Sequence, residues 1–293
     1  MSLLLGAGLL ADEACAQVEV VDDLGHPVRL PAAPRRIVSL APHATELVYA
    51  LGAGDRMLAV VAHSDFPPEA ARLPQVGDSR SLDLEAIAAL KPDLLIVWPT
   101  GNPAPQVERL AKLGIPLYRS EPRRLSDIGD ALRRLGRLLG HTRQGEKQAD
   151  DFERALEALR ARNEARAAVR TFYQIWPRPL MTLNDQHLAS DVIRLCGGRN
   201  VFGHLAPLVP TVSEEAVLRA DPELILVSAP PASDDARDQV RAWRRFARLS
   251  AVAHGEVRVV DPDLVNRPTP RVLLGARQVC EAMEAARVGM AKR

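Results

Sequence analysis

A helix-and-strand unit occurs twice in the chain, 130 residues apart. The first copy reads LEAIAALKPDLLIVW over residues 84–98, and the second reads EEAVLRADPELILVS over residues 214–228. Each copy begins as a short helix, passes through a Pro-acid pair and continues into an apolar strand. Strands and helices that alternate at this spacing are typical of parallel sheets covered on both faces. The repeat therefore predicts two similar, Rossmann-like α/β lobes.

A long helical segment lies between the two copies. Residues 142–166 contain no proline, and their apolar side chains recur every three or four positions, at Ala149, Phe152, Leu156 and Leu159. At 1.5 Å per residue this helix is roughly 37 Å long, which exceeds what a crossover helix needs. We predict a lobe at 17–141, a rigid linking helix at 142–168 and a lobe at 169–293. A long surface helix without a linking role is the alternative.

The first sixteen residues, MSLLLGAGLLADEACA, predict a signal peptide. A short apolar run precedes small residues at 14 and 16, which fits cleavage after Ala16 and export to the periplasm. A frayed N-terminal helix is the alternative, because no basic residue precedes the apolar run. Cleavage leaves two cysteines, Cys196 and Cys280, and an even pair in an exported chain favours a disulfide over two buried thiols.

Composition and motifs exclude several classes of function. The formal net charge is +1, with acidic and basic residues mixed, which disfavours a nucleic-acid partner. The seven histidines are scattered, and no phosphate-binding glycine loop, nucleophile elbow or HExxH motif occurs. We predict no catalytic residue, no metal site, no cofactor and a monomer. A cobalt chelatase that uses His63, and a binding module that signals to a surface partner, are the alternatives.

Unusual residues follow the predicted strands of both lobes. Ligands of open α/β sheets bind at the carboxyl ends of the strands, where the candidates are His43, Ala44, Thr45, His63, Trp98, Trp176, Asp263 and Arg267. Trp98 and Trp176 are expected to form apolar walls for a large flat ligand, unless each packs on its own core. Asp263 and Arg267 are expected to bond the ligand rim, unless they form only an i,i+4 surface ion pair.

Six stretches of the chain resemble the periplasmic vitamin B12 receptors of bacterial ABC importers, which belong to the helical-backbone class of metal-chelate receptors. The stretches are RIVSLAPHATELVYALG (36–52), SDFPP (64–68), LDLEAIAALKPDLLIVWPTGN (82–102), VIRLCGGRNVF (192–202), VSEEAVLRADPE (212–223) and RPTPRVLLGARQVCEAM (267–283). The likeness covers nearly all of residues 34–285, and the order of the motifs is preserved.

The resemblance implies a binding protein rather than an enzyme. Two α/β lobes joined by one long helix would hold a corrinoid in the cleft between them and deliver it to a dimeric ABC permease. An acid on the upper surface of each lobe docks to the two permease subunits in this family, and the motif places these acids at Glu85 and Glu215. Cys196 and Cys280 fall where the family has its disulfide.

The chain departs from the family pattern in the predicted cleft. His63 stands where a Tyr is expected, Ser79 and Val209 stand where Trp residues are expected, and Trp176 lies near the position of a Phe. With part of the aromatic lining replaced, cobinamide, another corrinoid, haem or a ferric siderophore fits the same architecture. A siderophore receptor is expected to have a more basic cleft, and the sequence offers little beyond Arg267.

Overall fold

The computed structural model describes residues 17–291, so the predicted signal peptide lies outside the described residues. In the N-terminal half the strands are β1 (Val18–Val21), β2 (Pro27–Leu30), β3 (Ile37–Ser39), β4 (Met57–Val60), β5 (Leu94–Val97) and β6 (Leu117–Arg119), and the helices are α1 (Pro42–Ala50), α2 (Leu84–Ala89), α3 (Ala104–Lys112), α4 (Leu125–Leu138) and α5 (Thr142–Asn163). β1 and β2 form an antiparallel hairpin, and the other four strands form a parallel sheet in the order β4-β3-β5-β6.

The second half is built in the same way. Its strands are β7 (Val169–Gln174), β8 (Trp176–Pro177), β9 (Leu180–Met181), β10 (Gly198–Asn200), β11 (Leu224–Ser228) and β12 (Val257–Val260), and its helices are α6 (Leu188–Leu195), α7 (Glu214–Ala220), α8 (Asp234–Arg244), α9 (Ser250–Ala253), α10 (Pro262–Val265) and α11 (Val272–Ala291). β8 and β9 form a short hairpin, and the remaining strands form a parallel sheet in the order β10-β7-β11-β12.

The two sheets share one topology, which confirms the predicted α/β fold. Among the four strands of each parallel sheet, the first in sequence is flanked by the second and third, and the fourth lies at the edge. The repeated sequence unit forms α2 with β5 in one lobe and α7 with β11 in the other, and both strands are interior. Interior strands of a parallel sheet are buried on both faces, which explains their continuous apolar sequence.

The repeated unit also repeats its local hydrogen bonds. Asp83 and Ser213 cap the two helices, and their side chains accept hydrogen bonds from the backbone N–H of Ala86 (2.9 Å) and Ala216 (3.2 Å), respectively. Short polar side chains satisfy N–H groups that have no partner within a helix. At the other end, the residues at 91 and 221 both adopt the left-handed conformation before a proline. The same sequence therefore starts and stops the helix in the same way in both lobes.

α5 packs antiparallel along α4 and joins the two halves. Glycines at 136 and 145 let the two backbones approach closely, because a β-carbon on Gly136 would fall 2.8 Å from Cα of Gly145. Phe152 and Leu156 of α5 belong to one buried cluster that contains residues of both lobes. α5 ends at Asn163, and the division of the chain at 141 and 168 stays a prediction.

A disulfide joins Cys196 to Cys280, as predicted. Cys196 ends α6 and is fully buried, while Cys280 lies on α11, so that the bond ties two helices of the C-terminal lobe together. The two buried free thiols considered from the sequence are thereby excluded.

Candidate functional site

The candidate residues lie where strands end. α1 follows β3, the segment 61–68 follows β4, Trp98 follows β5 and Asp263 follows β12. Arg267, four residues after Asp263, bonds Glu46 of α1 and Asp65 of the segment 61–68, and these contacts join the two lobes. The carboxyl ends of both sheets therefore face one seam, which is where the sequence places the ligand.

A cluster of charged side chains spans this seam. We call Glu46, Asp65, Asp263, Arg267 and Arg271 the inter-lobe ion cluster. Arg267 Nη1 donates to Glu46 Oε1 (2.9 Å) and Asp65 Oδ1 (3.0 Å) of the other lobe, and its Nη2 lies 2.7 Å from Asp263 Oδ1. Arg271 Nη1 donates to the same Glu46 oxygen at 3.0 Å. The predicted pair of Asp263 and Arg267 is therefore part of a contact between lobes.

Solvent access differs among the members of the cluster. The side chain of Glu46 is 3% exposed and that of Arg267 is 12% exposed, whereas Asp65 is 54% and Asp263 39% exposed. Burial raises the pKa of Glu46, and its hydrogen bond from Arg267 and the charge of Arg271 oppose that rise. Burial likewise raises the pKa of Asp263, against the charge of Arg267. Arg271 is 23% exposed, so the two aspartates are the most exposed members of the cluster.

Trp98 is held rigidly at the end of β5. Its backbone N–H donates to Asn102 Oδ1 (2.7 Å), and Asn102 Nδ2 donates to the Leu40 carbonyl (2.8 Å). The indole is half-buried, and a β-carbon on Gly101 would overlap it. The ring of His43 meets the indole edge-on, with 5.5 Å between ring centroids. Trp98 is therefore bonded through its backbone and packed against His43 and Gly101 at the end of β5.

His43, Ala44 and Thr45 lie in the layer beneath the seam. All three are buried, and His43 Nε2 is 3.1 Å from Ser120 Oγ. Burial lowers the pKa of His43 to about 4, and the charge of Arg267 adds to the effect. Thr45 Oγ1 donates within the lobe, to the Ala41 carbonyl at 3.1 Å. In this conformation these residues support the site, and their contact with a ligand stays a prediction.

His63 and Trp176 are both exposed. His63 has a positive φ of 65° in the turn after β4. Trp176 is 59% exposed in the β8–β9 hairpin, where its Nε1 donates to the Arg178 carbonyl at 3.1 Å. Of the two positions where the family pattern has Trp, Ser79 is exposed and Val209 packs partly against the core. The structure shows no packing of Trp176 on a core, and its role as a ligand wall stays a prediction.

The two repeated acids occupy the same place in their lobes. Glu85 and Glu215 are exposed and lie in the first turn of α2 and α7. The pKa of Glu215 lies below its ordinary value, because its own backbone N–H and the Ser213 hydroxyl bond its carboxylate. Both acids present a charge at a helix N-terminus, where the helix dipole favours an anion.

The sequence pointed to two of the five members of the inter-lobe ion cluster, Asp263 and Arg267, and to none of the contacts between the lobes. Glu46, Asp65, Thr269 and Arg271 were not singled out, and neither was Phe66, whose ring lies 3.8 Å from the Arg271 guanidinium carbon. One feature of the sequence could have indicated the cluster. Glu46 is the single acidic residue of α1 and lies among its buried residues, and a buried acid requires a cationic partner.

Within residues 17–291, no group of three or more His, Cys, Asp or Glu side chains is arranged to hold a metal ion. Over the same residues, no helix is both long and apolar enough to cross a membrane.

Comparison with known families decides the assignment. Residues 37–264 match the model of the family described as periplasmic binding protein. The chain belongs to this family. The assignment confirms the predicted periplasmic location, and it confirms a binding protein rather than an enzyme, which sets the chelatase alternative aside.

Similar proteins cover nearly the whole chain. A vitamin B12-binding protein of Vibrio parahaemolyticus is 40% identical over 253 residues, which is 86% of this chain and 90% of the relative. The crystal structure of the periplasmic vitamin B12 binding protein BtuF of Vibrio cholerae superposes with a TM-score of 0.81 at 39% identity and covers 87% of this chain and 98% of that chain. A periplasmic heme binding protein from Pseudomonas aeruginosa has a TM-score of 0.76 at 26% identity and covers 85% and 92%.

Proposed function

We propose that this protein captures a corrinoid, vitamin B12 or a close relative, in the periplasm and delivers it to an ABC permease. The observation that carries the proposal is the seam between the lobes, where the indole of Trp98 and an acid-rich ion cluster both lie at the carboxyl ends of the sheets. Whole-length similarity to vitamin B12-binding proteins supports the same ligand class.

The charges of the ion cluster favour a corrinoid over haem. Three carboxylates face two guanidiniums, so the inter-lobe ion cluster carries a net charge of about −1 when all five groups are ionised. A corrin ring carries primary amides, whose N–H groups donate to exposed carboxylates such as Asp65 and Asp263. Haem carries two carboxylates, which these acids repel. Ferric siderophores are frequently anionic and meet the same repulsion.

The flat face of the ligand packs on Trp98 in this proposal, whereas its polar groups bond the inter-lobe ion cluster. Trp98 offers an apolar surface at the end of β5, where Asn102 bonds its backbone N–H and the ring of His43 packs edge-on against its indole, and a flat ring system can pack on that surface. Trp176 adds a second indole from the other lobe if the β8–β9 hairpin moves toward the seam. His63 takes the place of a lost aromatic at the rim.

The acids of the repeated unit, Glu85 and Glu215, mediate delivery to the permease in this proposal. Glu85 and Glu215 each dock to one subunit of a two-subunit permease, with the receptor acting as a monomer. Support comes from their equal position in the repeat, their exposure and their common helix-start geometry. A dipole contact alone accounts for either acid singly, but it gives no reason for the same residue in both lobes.

A ligand panel tests the choice of ligand. We expect the purified mature protein to bind cyanocobalamin and cobinamide with a Kd of about 1 μM or tighter in calorimetric titrations, and haemin and ferric siderophores at least about tenfold more weakly. Cobinamide is the matched control, because it shares the amide-bearing ring and lacks the nucleotide. Tight haemin binding without corrinoid binding would contradict the proposal.

A further inference from the structure

A buried carboxylate of the N-terminal lobe is bonded by three residues of the C-terminal lobe. Glu46 Oε1 accepts hydrogen bonds from Arg267 (2.9 Å) and Arg271 (3.0 Å), and Oε2 accepts one from the Thr269 hydroxyl (2.9 Å). The three donors lie within five residues of sequence, between β12 and the start of α11. Glu46 itself lies in the middle of α1, three residues after His43, whose ring packs against Trp98.

These bonds determine where the two arginines point. The guanidinium of Arg267 is directed at three carboxylates, those of Glu46, Asp65 and Asp263. The guanidinium of Arg271 bonds Glu46 and lies over the ring of Phe66. A guanidinium binds a ligand carboxylate best through two parallel N–H bonds, and that geometry requires its N–H groups to be free.

Both guanidiniums are therefore engaged by carboxylates of the protein, and the two aspartates are the more exposed groups. Glu46 and Arg267 are nearly inaccessible and the side chain of Arg271 is 23% exposed, while Asp65 and Asp263 are the most exposed members of the cluster. Without the buried negative charge of Glu46, two guanidiniums would face two carboxylates, and one arginine would lose its main partner. The seam would then be neutral and would hold a guanidinium able to turn toward a bound anion.

We propose that Glu46 is a specificity-determining residue, which engages Arg267 and Arg271 across the seam so that the site accepts amide-bearing rings and rejects carboxylate-bearing rings. Glu46 acts through the arginines and does not touch the ligand. The inference rests on the proposed function for the identity of the accepted ligand, but the rejection of carboxylates follows from the ion cluster alone.

The variant Glu46→Gln tests this role. The glutamine has nearly the same shape and keeps one oxygen to accept a hydrogen bond, but it removes the charge. We expect the ratio of haemin affinity to cyanocobalamin affinity to rise by about tenfold or more, because a unit charge removed from a partly buried site acts at low effective dielectric. Glu69→Gln is the matched control, since it removes the same charge from an exposed position of the same lobe and should leave the ratio unchanged.

Two further measurements keep the outcome decisive. Urea unfolding of each variant shows whether it is folded. If Glu46→Gln does not fold, Asp65→Asn removes another carboxylate from Arg267 at an exposed position, and we expect a smaller rise in the same ratio. An unchanged ratio in a folded Glu46→Gln, or in Asp65→Asn when the first variant is unfolded, overturns the inference.

The wild-type protein separates this inference from the proposed function. If the wild type binds no corrinoid, the proposed function fails, and haemin affinity in Glu46→Gln relative to wild type still tests the role of Glu46. If the wild type binds corrinoid and the variant ratio does not move, only the inference fails.

Discussion

Replacing both Cys196 and Cys280 with alanine is expected to lower the free energy of unfolding by about 4–5 kcal/mol. The bond closes a loop with a sequence separation of 84 residues, and chain entropy gives about this value for a loop of that length. For a chain of this size a loss of about 4 kcal/mol lowers Tm by roughly 10 °C. Urea unfolding and thermal melts measure both quantities.

The control for this prediction is the wild type under reducing conditions. Reduced wild type and the double variant should unfold at similar urea concentrations, because both lack the loop closure in the unfolded state. The expected loss comes mainly from the unfolded chain, so the folded structures should remain alike. A double variant within about 1 kcal/mol of the oxidised wild type would show that the bond does little to stabilise the fold.

Acidification is expected to destabilise the protein well before its carboxylates become protonated. Burial lowers the pKa of His43 to about 4, and desolvation does the same for His187, which caps α6 as a neutral acceptor. An unfolded histidine titrates near 6.5. Between pH 6.5 and 4 the unfolded chain therefore binds protons that the folded chain rejects, and stability falls as the pH falls.

The size of this effect follows from the gap between the two pKa values. For His43 the gap from 6.5 to about 4 corresponds to about 3 kcal/mol, of which about 2 kcal/mol is lost between pH 7 and pH 5. We expect His43→Gln to remove about that much of the difference in unfolding free energy between pH 7 and pH 5. His204→Gln, at an exposed position, is the control and should retain the full difference. An unchanged pH dependence in His43→Gln would contradict the buried neutral state of this ring.

Most of the fold could be predicted from the sequence because the residues that specify each helix and strand lie close together in the chain. Residues 83–98 and 213–228 each carry a capping residue, an apolar helix face, a stop before proline and an apolar strand, and these features dictate structure within one unit. The even number of cysteines in an exported chain was sufficient to predict the disulfide between Cys196 and Cys280. The position of Trp98 at the end of a strand followed from the same local reasoning.

The inter-lobe ion cluster could not be predicted from local sequence patterns. Glu46 and Arg267 are separated by 221 positions, and their contact depends on how two lobes are placed rather than on any local pattern. In sequence, Asp263 and Arg267 look like an ordinary i,i+4 pair, which on a surface contributes little. His43 likewise gives no sign that Ser120, 77 residues away, bonds its ring and that burial keeps it neutral.

Uptake by cells tests delivery by this receptor most directly. In a strain that lacks its own periplasmic corrinoid receptor, Glu85→Lys combined with Glu215→Lys is expected to reduce uptake of labelled cyanocobalamin by about tenfold or more, because truncated or reversed charge pairs at an interface are costly. Binding of cyanocobalamin by the purified variant should equal that of wild type. Glu108→Lys combined with Glu281→Lys reverses one exposed acid in each lobe away from the repeat, and uptake should stay normal. Full uptake by the Glu85→Lys/Glu215→Lys variant would contradict docking through the repeated acids.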